Sequence, residues 1–339
     1  MFPKINSLND KQILSSCQGN EAIFLVCAAD DKYAMPLTVM IRSVLENLKY
    51  QSNIIVFIVD GGIKKYRKEK ILKSLNFANC EIKFVAKPDS SLFKDIEEVN
   101  KYCEEEGITI HKNAISIATY YRLLLPELLP ESVDKVIYLD CDLVVEEDLM
   151  HLWNLDLKEN YLLAAPDLWI RSVSAHNGLL NYEELQIASD AKYFNAGVLV
   201  VNLKKWRTDK IMVKAIEYLK KNKSYIRFHD QDVLNALLAG QWGEIDPRWN
   251  HTPGIYEYAS WGDSPFSEHV YKNLIQHPYI IHFAASIKPW NCRDMHFKEH
   301  FFYYVDKTEW SGWRFTFWKQ IQLRVAHKLQ KFKSRFINS

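Results

Sequence analysis

The chain has 339 residues, 48% of them hydrophobic, which is enough apolar material for one large α/β domain or two modest ones. Its 43 Lys and Arg against 42 Asp and Glu leave a formal net charge of +1, so the total lacks the markedly basic balance of a nucleic-acid binder and no nucleic-acid partner is expected. The six cysteines form no C-x-x-C pair and read as reduced thiols, MFPKINSLNDKQILSS lacks a signal-peptide core, and no apolar run reaches the roughly 18 residues of a spanning helix, so a cytoplasmic location is expected.

From Ala22 onward, short β-rich runs alternate with longer helical patterns, the signature of βαβ units and a mainly parallel sheet flanked by helices. Strands are expected at AIFLVCAA (22–29), NIIVFIVD (53–60), CEIKFVA (80–86) and KVIYLD (135–140). Helical patterns follow the first two, at MPLTVMIRSVLENL and KKYRKEKILKSL, and an acidic linker and the segment NAISIATYYRLLLPELL follow the third. Later come YLLAAPD (161–167), a polar stretch from about Ile170 to Lys192, the strand FNAGVLVVNL (194–203), and two helices around IMVKAIEYLKK and QDVLNALLAG. The aromatic-rich part from Trp242 to Phe266 reads as long functional loops, and YIIHFA (279–284) as the last strand.

The fourth strand ends on YLDCD, which places Asp140 at its carboxyl end and Asp142 just past it. Ligands of parallel sheets bind beyond those ends. Two carboxylates at i and i+2 on one side can hold a hard divalent cation, Mn²⁺ or Mg²⁺, that neutralises a phosphate; a capping aspartate followed by a turn aspartate would give the same spelling. DCDLV also spells the motif of haloacid-dehalogenase-type phosphatases, but that motif normally closes the first strand of its domain, and three βα units precede it here.

Six blocks in order carry a more specific resemblance: CAADDKYAMPLTVMIRSVLEN (27–47), TYYRLLLPELLP (119–130), DKVIYLDCDLVVEEDLMHLWNLDL (134–157), YFNAGVLVVNLKKWR (193–207), HDQDVLNALL (229–238) and IIHFAASIKPW (280–290). Over residues 22–292 the chain resembles the retaining glycosyltransferases of family 8, the bacterial lipopolysaccharide galactosyl- and glucosyltransferases of GT-A fold. The resemblance implies a nucleotide-binding half over about 22–140 and a donor-sugar and acceptor half over 141–292. It implies Mn²⁺ or Mg²⁺ held by Asp140, Asp142 and His282, and a UDP-sugar whose uridine meets Asp30, Asp31 and Tyr33 and whose phosphate meets Lys288. Donor-sugar contacts are implied for Arg122, Asp167, Asn195, Ala196, Asp230 and Gln231. Lys32 stands where the family often has Asn, and Ala285 where it has Gly. Catalytic candidates are Gln231, Asp230 and Asp232; an amide is a poor nucleophile, which favours front-face attack over a covalent intermediate. The reaction so implied moves galactose or glucose from UDP to a saccharide acceptor of a lipopolysaccharide or other cell-surface glycan, with α-linkage. A nucleotidyltransferase that makes nucleotide sugars is the enzymatic alternative, though AADDKYAMP has no glycine; a non-catalytic sugar-binding protein of the same fold is the other.

Residues 293–339 read as a separate aromatic and basic tail. Trp310, Trp313, Phe315, Phe317 and Trp318 crowd together, then Trp318, Ile321, Val325, Leu329, Phe332 and Phe336 recur at steps of three and four, with no acidic residue after Glu309. Such a helix suits the surface of an anionic membrane, which would place the enzyme at the inner face of the cytoplasmic membrane beside a lipid-linked acceptor; packing of the stripe on the catalytic domain or on a second subunit is the alternative.

Overall fold

In the computed structural model, residues 22–49, 52–87, 90–106, 117–316 and 318 are described. Their strands are β1 (Ile23–Ala29), β2 (Ile54–Asp60), β3 (Cys80–Ala86), β4 (Lys135–Leu139), β5 (Leu143–Val145), β6 (Leu162–Pro166), β7 (Phe194–Asn202), β8 (Gly243–Glu244) and β9 (Ile280–His282). Seven of them make one sheet in the order β3-β2-β1-β4-β7-β6-β8. The pairs β3-β2, β2-β1, β1-β4 and β6-β8 are parallel, and β7 alone runs against both of its neighbours.

The central strands are near-continuous apolar runs because both faces of the sheet are covered. Alternate residues divide between two cores. Val26, Ile55, Phe57, Val136, Tyr138 and Leu199 pack on one side, and Leu25, Cys27, Ile54, Val56, Ile137, Leu139 and Val198 on the other. The helix Ala34–Asn47 roofs the second core with eleven of its fourteen residues buried. Its polar members are satisfied locally: Thr38 Oγ1 donates to Ala34 O at 2.7 Å, and Ser43 Oγ accepts from Val145 N at 2.9 Å.

Three features differ from the sequence expectation. The acidic segment after β3 is a helix, Ser90–Glu105, whose Ile96, Val99 and Cys103 are buried in the first core. The run after YLDCD adds a strand the sequence reading did not separate: Leu143–Val145 pairs antiparallel with β9 in a separate two-stranded ribbon, Leu143 opposite His282. His282 therefore reaches the site from this ribbon rather than from an end of the main sheet. Finally, the packed fold continues past residue 292. The helix Lys298–Val305 buries Phe301, Tyr304 and Val305 against Met35, Val39, Val144, Ile281 and Phe283, with Trp310 and Trp313 packed on the same cluster. Tyr304 Oη accepts from Asn47 Nδ2 at 2.8 Å, and Glu309 N donates to Ser74 Oγ at 2.9 Å. Two of the five clustered tail aromatics are thus core-facing, Trp318 is 72% exposed, and the rest of the apolar stripe lies outside the described residues.

Candidate metal and nucleotide-sugar site

Strand direction gathers the site at one edge. The carboxyl ends of β1, β4 and β6 deliver Asp30, Asp140 and Asp167, and the reversed β7 begins there with Asn195, Ala196 and Gly197. Asp140 N donates to Gly197 O at 2.9 Å, and Phe283 N to Asp142 O at 3.0 Å, so backbone bonds seat both aspartates.

Each aspartate is divided between a cation and an open side. Asp140 Oδ1 accepts from Arg122 Nη2 at 2.7 Å and from Tyr138 Oη at 3.1 Å, while its Oδ2 lies 3.9 Å from His282 Nε2. Asp142 Oδ2 accepts from Lys288 Nζ, and its Oδ1 lies 3.4 Å from the same His282 Nε2. Burial lifts the Asp140 carboxyl, with Arg122 pulling the other way and Asp142 adding to the lift. Burial pushes Asp142 up too, but the Lys288 ammonium and His282 outweigh it and hold that carboxyl well below the usual carboxylate range.

One ligand atom from each of Asp140, Asp142 and His282 fits within a span of 4.8 Å. Around a six-coordinate cation with bonds of about 2.1 Å, adjacent donors stand about 3 Å apart and opposite ones about 4 Å, so an O,O,N set at these spacings fits Mn²⁺ or Mg²⁺. Two further observations support the fit. His282 Nδ1 lies 2.7 Å from Asn250 Oδ1, an arrangement that leaves Nε2 as the ring atom turned toward the two carboxylates. Gly197 has no room for a side chain: a Cβ there would lie 2.3 Å from His282 Cε1 and 3.0 Å from Asp140 Oδ2.

Arg122, only 3% exposed, ties Asp140 to a second group of polar side chains. Besides Asp140 it pairs with Asp230 Oδ2 at 2.7 Å, donates to Ala196 O and to Thr119 O, and stacks over the Tyr138 ring at 4.5 Å. Asp140 and Asp230 hold the guanidinium firmly protonated against the effect of burial. Beyond it, Asn195 Nδ2 donates to Asp167 Oδ2 at 3.0 Å, Gln231 Oε1 accepts from Ala196 N at 3.0 Å, and Asp167 Oδ1 accepts from the backbone of Trp169 and Ile170.

The catalytic candidates separate here. Gln231 is half-buried beside Ala196 and Asp167. Asp230 is 2% exposed and committed to Arg122 and to Thr119 Oγ1, which donates at 2.7 Å. Asp232 belongs to a different network: it accepts from Tyr193 Oη at 2.6 Å and from the backbone N–H groups of Arg227 and Phe228, capping the start of the helix His229–Leu238. In the AADD turn, Asp30 Oδ1 caps the turn Asp31–Tyr33 through Lys32 N and Tyr33 N. Asp31 binds Lys64 N at 3.0 Å and pairs with Arg67. Tyr33 packs edge-on against Trp290 at 5.9 Å, and burial together with Asp142 pushes its phenol well up.

Residues 24–293 match the family model described as Glycosyl transferase family 8. The chain belongs to that family. This family 8 glycosyltransferase is 30% identical to General stress protein A of Bacillus subtilis over 296 residues, which cover 86% of this chain and 96% of that one. It is 29% identical to the lipopolysaccharide 1,2-glucosyltransferase of Escherichia coli over 221 residues, covering 65% and 61% of the two chains. Among solved structures, the galactosyltransferase LgtC in complex with donor and acceptor sugar analogues superposes with a TM-score of 0.68 at 30% identity, covering 85% of this chain and 96% of that one. The mixed, mostly parallel sheet of this family 8 transferase is thus the GT-A fold.

Gly197, Asn250, Thr119 and Tyr138 are site residues that motif reading passed over. Gly197 carried a signal, since a glycine inside a strand pattern marks close approach by another group. Asn250, in RWNH, lies 32 residues from the histidine it binds and carried none.

Proposed function

We propose that this sugar transferase is a retaining, divalent-metal-dependent enzyme that moves galactose or glucose from UDP to a saccharide hydroxyl, forming an α-glycosidic bond. The observation that carries the reading is the convergence of Asp140 Oδ2, Asp142 Oδ1 and His282 Nε2 beside a sugar-facing set of Arg122, Asp167, Asn195 and Gln231. Mn²⁺ or Mg²⁺ bound there would supply Lewis-acid stabilisation of the diphosphate as it departs. Lys288, 8% exposed and aimed at Asp142, places a second positive charge at the same point. Arg122 orients Asp140 and opposes the lift that burial gives its carboxyl. Asp230 and Asp232 are both committed to structural partners, and Gln231 is a weak nucleophile, so these residues favour attack from the same face as the leaving group.

Family membership sets aside the nucleotidyltransferase alternative; a non-catalytic member of the same fold is tested by assay. UDP with Mn²⁺ should raise the thermal midpoint of the full chain, because a ligand of the native state alone stabilises it by mass action, and GDP or CMP should do so much less. Equal protection by all three would remove the uridine-reading role of Asp30, Asp31 and Tyr33. The anomeric coupling of the product, read by proton NMR with a saccharide acceptor, decides retention against inversion.

The acceptor we propose is a lipopolysaccharide or other cell-surface glycan, lipid-linked and met at the inner face of the cytoplasmic membrane. Its support is the basic, acid-free sequence from Trp310 to Ser339. Because Trp310 and Trp313 pack on the fold, the chain to compare with the parent ends at Thr316. The parent should sediment with anionic vesicles in a salt-sensitive way and the shortened chain should not, while both release UDP. Vesicle binding by the shortened chain would move the membrane contact elsewhere.

A further inference from the structure

A continuous chain of amide hydrogen bonds runs behind the metal edge, and its polarity is fixed from both ends. At one end, Asn195 Oδ1 accepts from the backbone N–H of Gly197 at 3.0 Å, and a backbone N–H can only donate. At the other, Asn195 Nδ2 donates to Asp167 Oδ2 at 3.0 Å, and an ionised carboxylate can only accept. The Asn195 amide therefore has one orientation. Its oxygen is also the atom that faces Asn250, 2.9 Å from Asn250 Nδ2, so Asn250 must present its nitrogen to Asn195 and its oxygen to His282. A flipped Asn250 would set two carbonyl oxygens against each other. Asn250 Oδ1, 2.7 Å from His282 Nδ1, can only accept there, and the proton of the neutral ring must sit on Nδ1.

We infer that Asn250 is a positioning residue that holds a proton on His282 Nδ1 and so turns Nε2, as the ligand atom, toward Asp140 and Asp142, and that Asn195 and Gly197 set the orientation of Asn250. The inference rests on the metal site of the proposed function and extends it. Asn250 is 8% exposed and His282 3%, so no solvent molecule substitutes freely for the missing partner. The backbone is braced at the same place: His282 N donates to His251 O at 2.7 Å, and His251 N to Ile280 O at 3.0 Å. The Asn250 side chain thus fixes the ring while its neighbour fixes the strand. Asn195 stands where the metal arm meets the sugar arm through Asp167, so its Oδ1, already accepting twice, is a framework atom rather than a spare acceptor for a sugar hydroxyl.

The test uses full-length protein, with Mn²⁺ itself as the probe. Asn250→Leu removes the acceptor at similar size, whereas Asn250→Asp keeps an acceptor for Nδ1–H. Mn²⁺ affinity, read by electron paramagnetic resonance of the free ion, should fall about 10- to 100-fold in Asn250→Leu and by clearly less in Asn250→Asp, which keeps the acceptor for His282 but gives up the donor to Asn195 Oδ1. Equal affinity in parent and Asn250→Leu, or equal loss in both variants, overturns the role given to Asn250. Nitrogen NMR of the metal-free parent, labelled at histidine and held in mildly alkaline buffer, should show His282 as the Nδ1–H tautomer; an Nε2–H ring overturns the inference even if a variant does not fold. A parent that binds no Mn²⁺ refutes instead the metal reading on which the inference stands.

Discussion

Gly197→Ala is the smallest change that should disable the site. The added methyl would lie 2.3 Å from His282 Cε1, 2.9 Å from Nδ1 and 3.0 Å from Asp140 Oδ2, against an ordinary contact of 3.4 Å or more. The ring cannot swing away cheaply, because Nδ1 is held by Asn250 and the backbone by β5 and His251. Relieving the clash moves the imidazole by about 1 Å, while metal–ligand distances tolerate about 0.2 Å. Mn²⁺ affinity should therefore fall on the order of 100-fold or more, comparable with the loss of an orienting partner. The cost to folding is overpacking, about 1–3 kcal/mol, well short of a typical domain's total stability. The assays are Mn²⁺ titration, UDP release and thermal unfolding in EDTA. A folded Gly197→Ala protein with parental Mn²⁺ affinity would refute the geometry by which His282 serves as a ligand.

Asp140→Asn and Asp142→Asn should both abolish transfer, but they should differ in stability. Arg122 keeps Asp230 when Asp140 loses its charge, whereas Lys288, 8% exposed, loses its carboxylate partner in Asp142→Asn. The second variant should be the less stable by on the order of 1–3 kcal/mol in denaturant unfolding, and the reverse order would contradict the pairing described. His251 is 1% exposed, neither ring nitrogen has a hydrogen-bond partner among the described residues, and burial pushes its pKa down to about 4. Between about pH 6.5 and 4 the unfolded chain binds a proton at this residue that the folded one does not, so stability falls as pH drops through that window, by up to about 3 kcal/mol. His251→Phe should flatten that part of the stability–pH curve, and an unchanged slope would exclude His251 as its source.

Much of the fold was legible because the central strands are buried on both faces: β3 has the expected bounds, and β1, β2 and β4 fall within one residue of theirs. Asp140 and Asp142 were legible because carboxylates closing an apolar strand need a partner. The ribbon was not: Leu143–Val145 is three residues long and merges with the apolar run before it, so only its pairing with Ile280–His282 reveals it. Composition hid the helix Ser90–Glu105, whose many charges read as a linker although Ile96, Val99 and Cys103 keep helical spacing. Asp230 and Asp232 could have been separated from sequence, since residues two apart on a helix do not face the same way. Asn250 could not, since its role exists only once β9 lies beside it.

The central claim is that Asp140, Asp142 and His282 hold a divalent cation on which cleavage of a UDP-sugar depends. It is met most directly by following UDP released from UDP-galactose and UDP-glucose by the full chain, with Mn²⁺ and then with excess EDTA. Release of UDP from at least one donor with Mn²⁺, its loss in EDTA, its return on adding Mn²⁺ back, and its absence in the Asp140→Asn, Asp142→Asn double variant are the predicted results. Release that persists in EDTA, or survives in the double variant, would contradict the account.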